Sequence, residues 1–228
     1  MEDRILNAGS IGAVAPRNRV LRNTYALLAL SLLPTIGGAI LGVQTHFGAI
    51  FPSGFAGFAI FMAVAFGFIF GIERTKNSSM GVFLLLAFTF FMGLMLSGLL
   101  EHTLRFSNGG SLIAIAGGGT ALAFFGLSAI ASSTKRDLSN MQKFLSIGSL
   151  LVIGAIAANI FFQIPALTLT ILVAVLGISC AWLVVDINRI VNGGETNYVS
   201  ATLNVYISVF NIFQSLLALL GIFGGDRD

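Results

Sequence analysis

The chain has 228 residues, of which 56% are hydrophobic and only 9% charged, and its mean hydropathy is +0.95. A soluble domain carries about 25% charged residues, so this composition leaves too little polar surface for a water-facing fold. The isoelectric point of about 9.4 is no sign of a nucleic-acid partner, because the net charge is only +3 and the basic residues punctuate apolar blocks rather than cluster.

A bilayer core takes about 20 apolar residues of helix to cross. Seven blocks meet that length, at 24–43, 54–72, 80–100, 111–132, 143–163, 165–190 and 199–223. In lipid each backbone polar group must be satisfied internally, and no block alternates as a barrel strand does, so all seven are expected to be helices. The polar segment 1–22 reads as a tail, and 23–225 as one membrane domain. The first block is too long for a signal-peptide core and a second block follows a charged gap, so it reads as a retained helix.

Gly38 and Gly42, and Gly67 and Gly71, have the GxxxG spacing that lets helix backbones approach, and packing within the bundle is expected of both pairs. The run Gly117-Gly118-Gly119 lies inside the fourth block with no following Lys-Ser/Thr, so it is no phosphate loop. Only the stretch around Gln163-Ile164-Pro165 separates the fifth and sixth blocks. Proline suits a first helical turn, so a tight hairpin is expected there. Tyr25, Trp182 and Tyr198 fall near block ends, as an aromatic belt would.

Ten of the twelve Lys/Arg occupy alternate gaps. They are Arg4, Arg17, Arg19 and Arg22 before the first block, Arg74 and Lys76 after the second, Lys135, Arg136 and Lys143 after the fourth, and Arg189 at the end of the sixth. Arg105 and Arg227 lie on the other side. This asymmetry predicts a cytoplasmic N-terminus and, after seven crossings, a C-terminus outside. Lys135-Arg136-Asp137 then reads as a short cytoplasmic turn beside anionic lipid.

Asp186 is the outlier among the blocks. It ends the run LGISCAWLVV, and an acid at a helix centre costs roughly 2.5–3.5 kcal/mol on insertion scales. Two readings stay open: an interfacial residue paired with Arg189 at i+3, or an interior acid that serves as a protonatable gate or cation ligand. In the last block Asn204, Ser208, Asn211 and Ser215 are spaced four, three and four apart, which places them on one stripe. That stripe is either interhelical hydrogen bonding or the lining of a narrow aqueous path. Asn159 and Gln163 form a shorter polar edge. Glu101, His102 and Arg105 read as a solvated helix end.

No sequence pattern of a hydrolase or protease is present. With two His and one Cys, Cys180, no metal site of ordinary ligand count is expected, and no cofactor. Cys180 reads as a small buried apolar side chain.

Four stretches carry a resemblance: GGETNYVSATLNVYISVFNIFQSLLALLG at 193–221, RVLRNTYALLALSL at 19–32, GGGTALAFFGLSA at 117–129 and AANIFFQIPALTL at 157–169. They resemble the Bax-inhibitor/YccA family over nearly the full chain, most of all its bacterial YccA branch. The resemblance implies an all-α membrane protein, a seven-transmembrane-helix bundle with a central seventh helix, in the bacterial inner membrane. It implies a non-enzymatic role in binding and restraining the membrane protease FtsH. The alternative it implies is a pH-sensitive leak for calcium or protons, gated by two aspartates that share a proton and by an arginine latch. Asp186 matches the first aspartate, the second falls at Ser208, and Arg74 is the nearest candidate for the latch. A lone acid has no carboxylate partner to raise its pKa, so such a gate would rest on burial of Asp186 alone.

Overall fold

A computed structural model describes residues 2–136 and 138–225, with side chains described from Arg19 onward apart from Ser139. The chain folds into helices α1 (Glu2–Gln44), α2 (Phe47–Ile50), α3 (Gly54–Thr75), α4 (Ser79–Leu104), α5 (Gly109–Ser133), α6 (Ser139–Phe162), α7 (Pro165–Val191) and α8 (Tyr198–Gly224). Among the described residues there is no strand. Seven segments are long and apolar enough to cross a membrane: Arg19–Gln44, α3, α4, α5, Asn140–Phe162, α7 and α8. These are the seven blocks of the sequence, with ends shifted by no more than a few residues.

Two features differ from the expectation. The gap after the first block holds the one-turn helix α2, entered through His46 in the left-handed region at φ 51°. The polar segment to residue 22 is not set apart from the first span: the backbone of α1 is helical from Glu2 onward.

The outside of the bundle is apolar. Leu122, Phe144 and Phe223 are 77%, 75% and 76% exposed, an arrangement suited to hydrocarbon. Between helices in lipid the hydrophobic effect is spent, and close packing and hydrogen bonds decide which faces meet. Among the spans α8 has the most neighbours. It packs against α1, α3, α4, α5 and α7, whereas among the described residues α6 touches only α3 and α7. The core around α8 includes Ile72, Leu85, Phe88, Leu183, Ile187 and Tyr206.

The α1–α4 pair shows what the GxxxG spacing does. A Cβ at Gly38 would strike the Phe90 carbonyl, one at Gly93 would strike the Thr35 carbonyl, and one at Gly42 would lie 2.6 Å from Ser97 Cβ. The two backbones touch, and only glycine fits between them. The second pair behaves otherwise. Gly67 faces open space, and Gly71 would make only an ordinary 3.4 Å contact with Leu84. Its spacing marks no backbone contact within the bundle.

The α6–α7 hairpin closes as expected. Gln163 takes the left-handed region at φ 50°, and its N–H donates to the Asn159 carbonyl at 2.8 Å. The Asn159 side chain accepts from Ile164 N–H at 3.1 Å and donates to Thr168 Oγ1 at 2.7 Å. Pro165 sits in the first turn of α7. Asn159 is thus the fastener of the turn rather than part of a polar edge. Further along, Trp182 Nε1 donates to Ser149 Oγ at 3.0 Å and ties the same two helices.

Candidate functional site

Three inter-span segments meet at one end of the bundle, and asparagines hold them there. Asn197 caps α8, its Oδ1 accepting from Val199 N–H at 2.9 Å and Ser200 N–H at 3.2 Å. This satisfies two of the amides that a helix start leaves without partners. Its Nδ2 donates to the Lys76 carbonyl at 3.2 Å and to Asn77 Oδ1 at 2.8 Å. Asn188 Nδ2 donates to the Thr134 carbonyl at 2.6 Å, and Asn192 Nδ2 to the same oxygen at 3.2 Å. The α3–α4, α5–α6 and α7–α8 connections therefore sit side by side and gather Arg74, Lys76, Lys135, Arg136 and Arg189 at one end. Lys76 donates to Glu73 at 2.9 Å, and that bond raises the ammonium pKa.

Asp186 lies just inside this end. It is 6% exposed and faces a cleft lined by Arg189, Ile190, Glu195, Ala201 and Asn204. The interfacial i+3 pair is not formed. Arg189 turns toward Glu195, with Nη2 to Oε2 at 3.9 Å. Asp186 accepts no hydrogen bond from any described residue. The acid faces the interior because α8 begins against the last turns of α7, so a position five residues from the helix end is covered by a neighbouring span.

Of the residues singled out with Asp186, the fold brings Asn204 into the same cleft. Ser208 and Ser215, further along the same stripe, are 4% and 2% exposed, and Asn211 is half-buried. None of these four side chains hydrogen-bonds to a described residue. Arg74 does not join Asp186. Its guanidinium lies 4.9 Å from the centroid of the Phe70 ring on its own helix, and it forms no ion pair with a described carboxylate. The cation in the cleft is Arg189, and the second carboxylate there is Glu195, which the sequence reading passed over.

The hydrogen bonds that join α8 to its neighbours come from residues outside the stripe. The Tyr206 hydroxyl is 2.8 Å from Thr35 Oγ1 of α1 and 3.4 Å from the Thr89 carbonyl of α4. Thr202 Oγ1 is 2.7 Å from the Tyr198 carbonyl and 3.3 Å from the Thr24 carbonyl of α1. A signal existed: a tyrosine in mid-span, away from both interfaces, carries a hydroxyl that needs a buried partner.

At the opposite end Glu101 is less solvated than expected. Its side chain is 16% exposed, with one oxygen 3.2 Å from His46 Nδ1 and the other buried without a partner. Cys180 is free and half-buried. Among the described residues no group of three or more His, Cys, Asp or Glu could hold a metal ion. The Asp186 cleft gathers two acids, one cation and one amide but has no free volume for a water-sized ligand, so its chemistry is that of a proton-exchanging group rather than of a cation site.

Comparison with known proteins places nearly the whole chain. A family model described as inhibitor of apoptosis-promoting Bax1 matches residues 17–225. The chain is 37% identical to an uncharacterised protein of Neisseria meningitidis serogroup A, over 92% of this chain and 93% of that one. It is 39% identical to an uncharacterised protein of Pseudomonas aeruginosa, over 91% and 90% of the two chains. It is 36% identical to the Escherichia coli K12 protein named modulator of FtsH protease YccA, over 92% of each. The family description and the YccA name are those of an inhibitor and a modulator rather than of an enzyme. With a match over residues 17–225 and seven spans around a central last helix, the chain belongs to the Bax-inhibitor family of multi-pass membrane proteins.

Proposed function

We propose that this chain restrains a membrane AAA protease of the FtsH type, without catalysing a reaction itself. The observation that carries this reading is the 36% identity, over 92% of both chains, to a relative named as a modulator of that protease. We place it in the bacterial inner membrane with its N-terminus in the cytoplasm. The residue charges support that orientation, and a relative in Escherichia coli O6:H1 bears the name inner membrane protein YccA. The part of α1 ahead of Arg19 continues the first span as helix. It thus offers a AAA protease a segment at the membrane surface. The test is degradation of a membrane substrate by an FtsH-type protease in proteoliposomes, with and without the chain. The chain slows degradation, and deletion of residues 1–15 alters that effect or the chain's own turnover. Unaltered substrate half-life with the folded chain present rejects the proposal; a deletion without effect rejects the tail's part in it.

A second reading has its own observation: Asp186 is buried, accepts no hydrogen bond from a described residue, and shares its cleft with Glu195 and Asn204. It makes Asp186 the titrating group of a calcium or proton leak along the α8 stripe. Proteoliposome flux between about pH 5 and 8 tests it. Asp186→Asn changes the flux and its pH dependence. Asn211→Leu lowers flux without loss of stability, because no hydrogen bond is lost. Flux equal to that of empty liposomes rules the leak out.

A further inference from the structure

A second cleft opens beside Asp186, on the other side of Arg189, with a volume of about 470 Å³. Lys135 and Arg136 line it from the α5–α6 connection, Gln142 from α6, Asn188 and Arg189 from α7, and Asn192 from the α7–α8 connection. No carboxylate is among its described lining residues. Lys135 and Arg136 form no ion pair with a described residue, and the contact of Arg189 with Glu195 is a long one at 3.9 Å. We propose that this cleft binds a phosphate-bearing anion.

Four features carry the proposal. The lining is rich in donors: one ammonium, two guanidinium groups and the amides of Gln142 and Asn192. Guanidinium groups match phosphate oxygens in paired geometry, and charge-assisted bonds of that kind are the strong ones. The mouth is held in place, because Asn188 and Asn192 both bind the carbonyl of Thr134, the residue before Lys135. The volume falls in the range of small-ligand sites, roughly 300–1,000 Å³, and exceeds the needs of a lone phosphate, so a glycerol or similar group accompanies it. Val185 and Leu138 supply apolar wall at the ends of spanning helices, which is the depth of lipid head groups. Basic pockets between spans at that depth suit anionic head groups. The same chemistry accepts a soluble phosphomonoester.

The test uses the full chain in detergent, with native mass spectrometry to count bound phosphatidylglycerol or phosphatidylcholine. Phosphatidylglycerol binds at least tenfold more tightly. Each cation near a membrane surface is worth about fivefold in binding, so Lys135→Gln with Arg136→Gln weakens it about 25-fold and leaves phosphatidylcholine unchanged. Lys143→Gln removes an exposed neighbour outside the cleft, where solvent and salt screen its charge, and changes affinity less than about twofold. Glycerol 3-phosphate distinguishes the sources. If it displaces phosphatidylglycerol at millimolar concentration, the site serves soluble phosphomonoesters; if it does not, the site reads the lipid. Equal binding of the two lipids with no binding of glycerol 3-phosphate overturns the proposal. So does an equal loss from Lys143→Gln, which would mean diffuse attraction to the surface.

Discussion

Gly93→Ala tests the contact that joins the first and third spans. The added methyl would meet Ala39 N and Thr35 C at 2.9 Å, with the Thr35 carbonyl closer still. Ordinary contact begins at 3.4 Å, so relief of the two milder clashes alone parts α1 and α4 by about 0.5 Å. A gap of that size forfeits roughly a quarter to a half of each dispersion well. With about 40–60 atom pairs across the contact at about 0.1–0.2 kcal/mol each, the loss centres on about 2–3 kcal/mol. Alanine returns about 0.5–1 kcal/mol of helix propensity, which leaves a net cost near 2 kcal/mol, as overpacked sites show. The assay is unfolding by SDS in dodecyl-maltoside micelles, followed by far-UV circular dichroism. Gly67→Ala is the matched control. Its methyl meets nothing within 4 Å, so stability holds or rises by up to about 1 kcal/mol. Stability of Gly93→Ala within about 0.5 kcal/mol of the parent would refute the backbone contact, since no side-chain movement relieves a clash with a carbonyl.

Three further perturbations follow from the same geometry. Tyr206→Phe removes the hydroxyl between α1 and α4 but leaves no orphan on α1, because Thr35 keeps its 2.9 Å bond to the Ser31 carbonyl. The cost in the same titration is about 0.6–1 kcal/mol, and a loss above about 2 kcal/mol would mean the hydroxyl does more than bridge. Asn188→Ala breaks the 2.6 Å bond to the Thr134 carbonyl at a position 3% exposed. It costs about 1–3 kcal/mol and speeds trypsin cleavage at Lys135 and Arg136 several-fold; unchanged cleavage would show that the clamp does not hold the connection. Asp186→Asn replaces a buried carboxyl group that no described residue bonds, so stability at neutral pH is unchanged or higher by up to about 2 kcal/mol. A loss above about 1 kcal/mol would reveal a partner for the carboxylate.

What the sequence could and could not express follows from the solvent. In hydrocarbon, twenty unbroken apolar residues have one structure open to them, so the seven spans and the hairpin at Pro165 are legible from the residues alone. Azimuth is not. Gly38 and Gly67 each precede a glycine by four residues, yet one touches a backbone carbonyl and the other faces open space, because spacing fixes a face without naming what covers it. Asp186 shows the same limit. Its position gives depth along α7, about 1.5 Å per residue from the end, while its burial comes from α8 and the α7–α8 connection lying over it. The α8 stripe was readable as a stripe, but its meaning needed the neighbours. Interhelical bonding falls to Thr202 and Tyr206 on another face, and Asn204, Ser208, Asn211 and Ser215 have no partner among the described residues. An unmet buried polar group costs about 1–3 kcal/mol. Asn204 and Asn211 escape that cost by staying half-buried, so the stripe keeps polar groups partly open from the Asp186 cleft along the most central helix of the bundle.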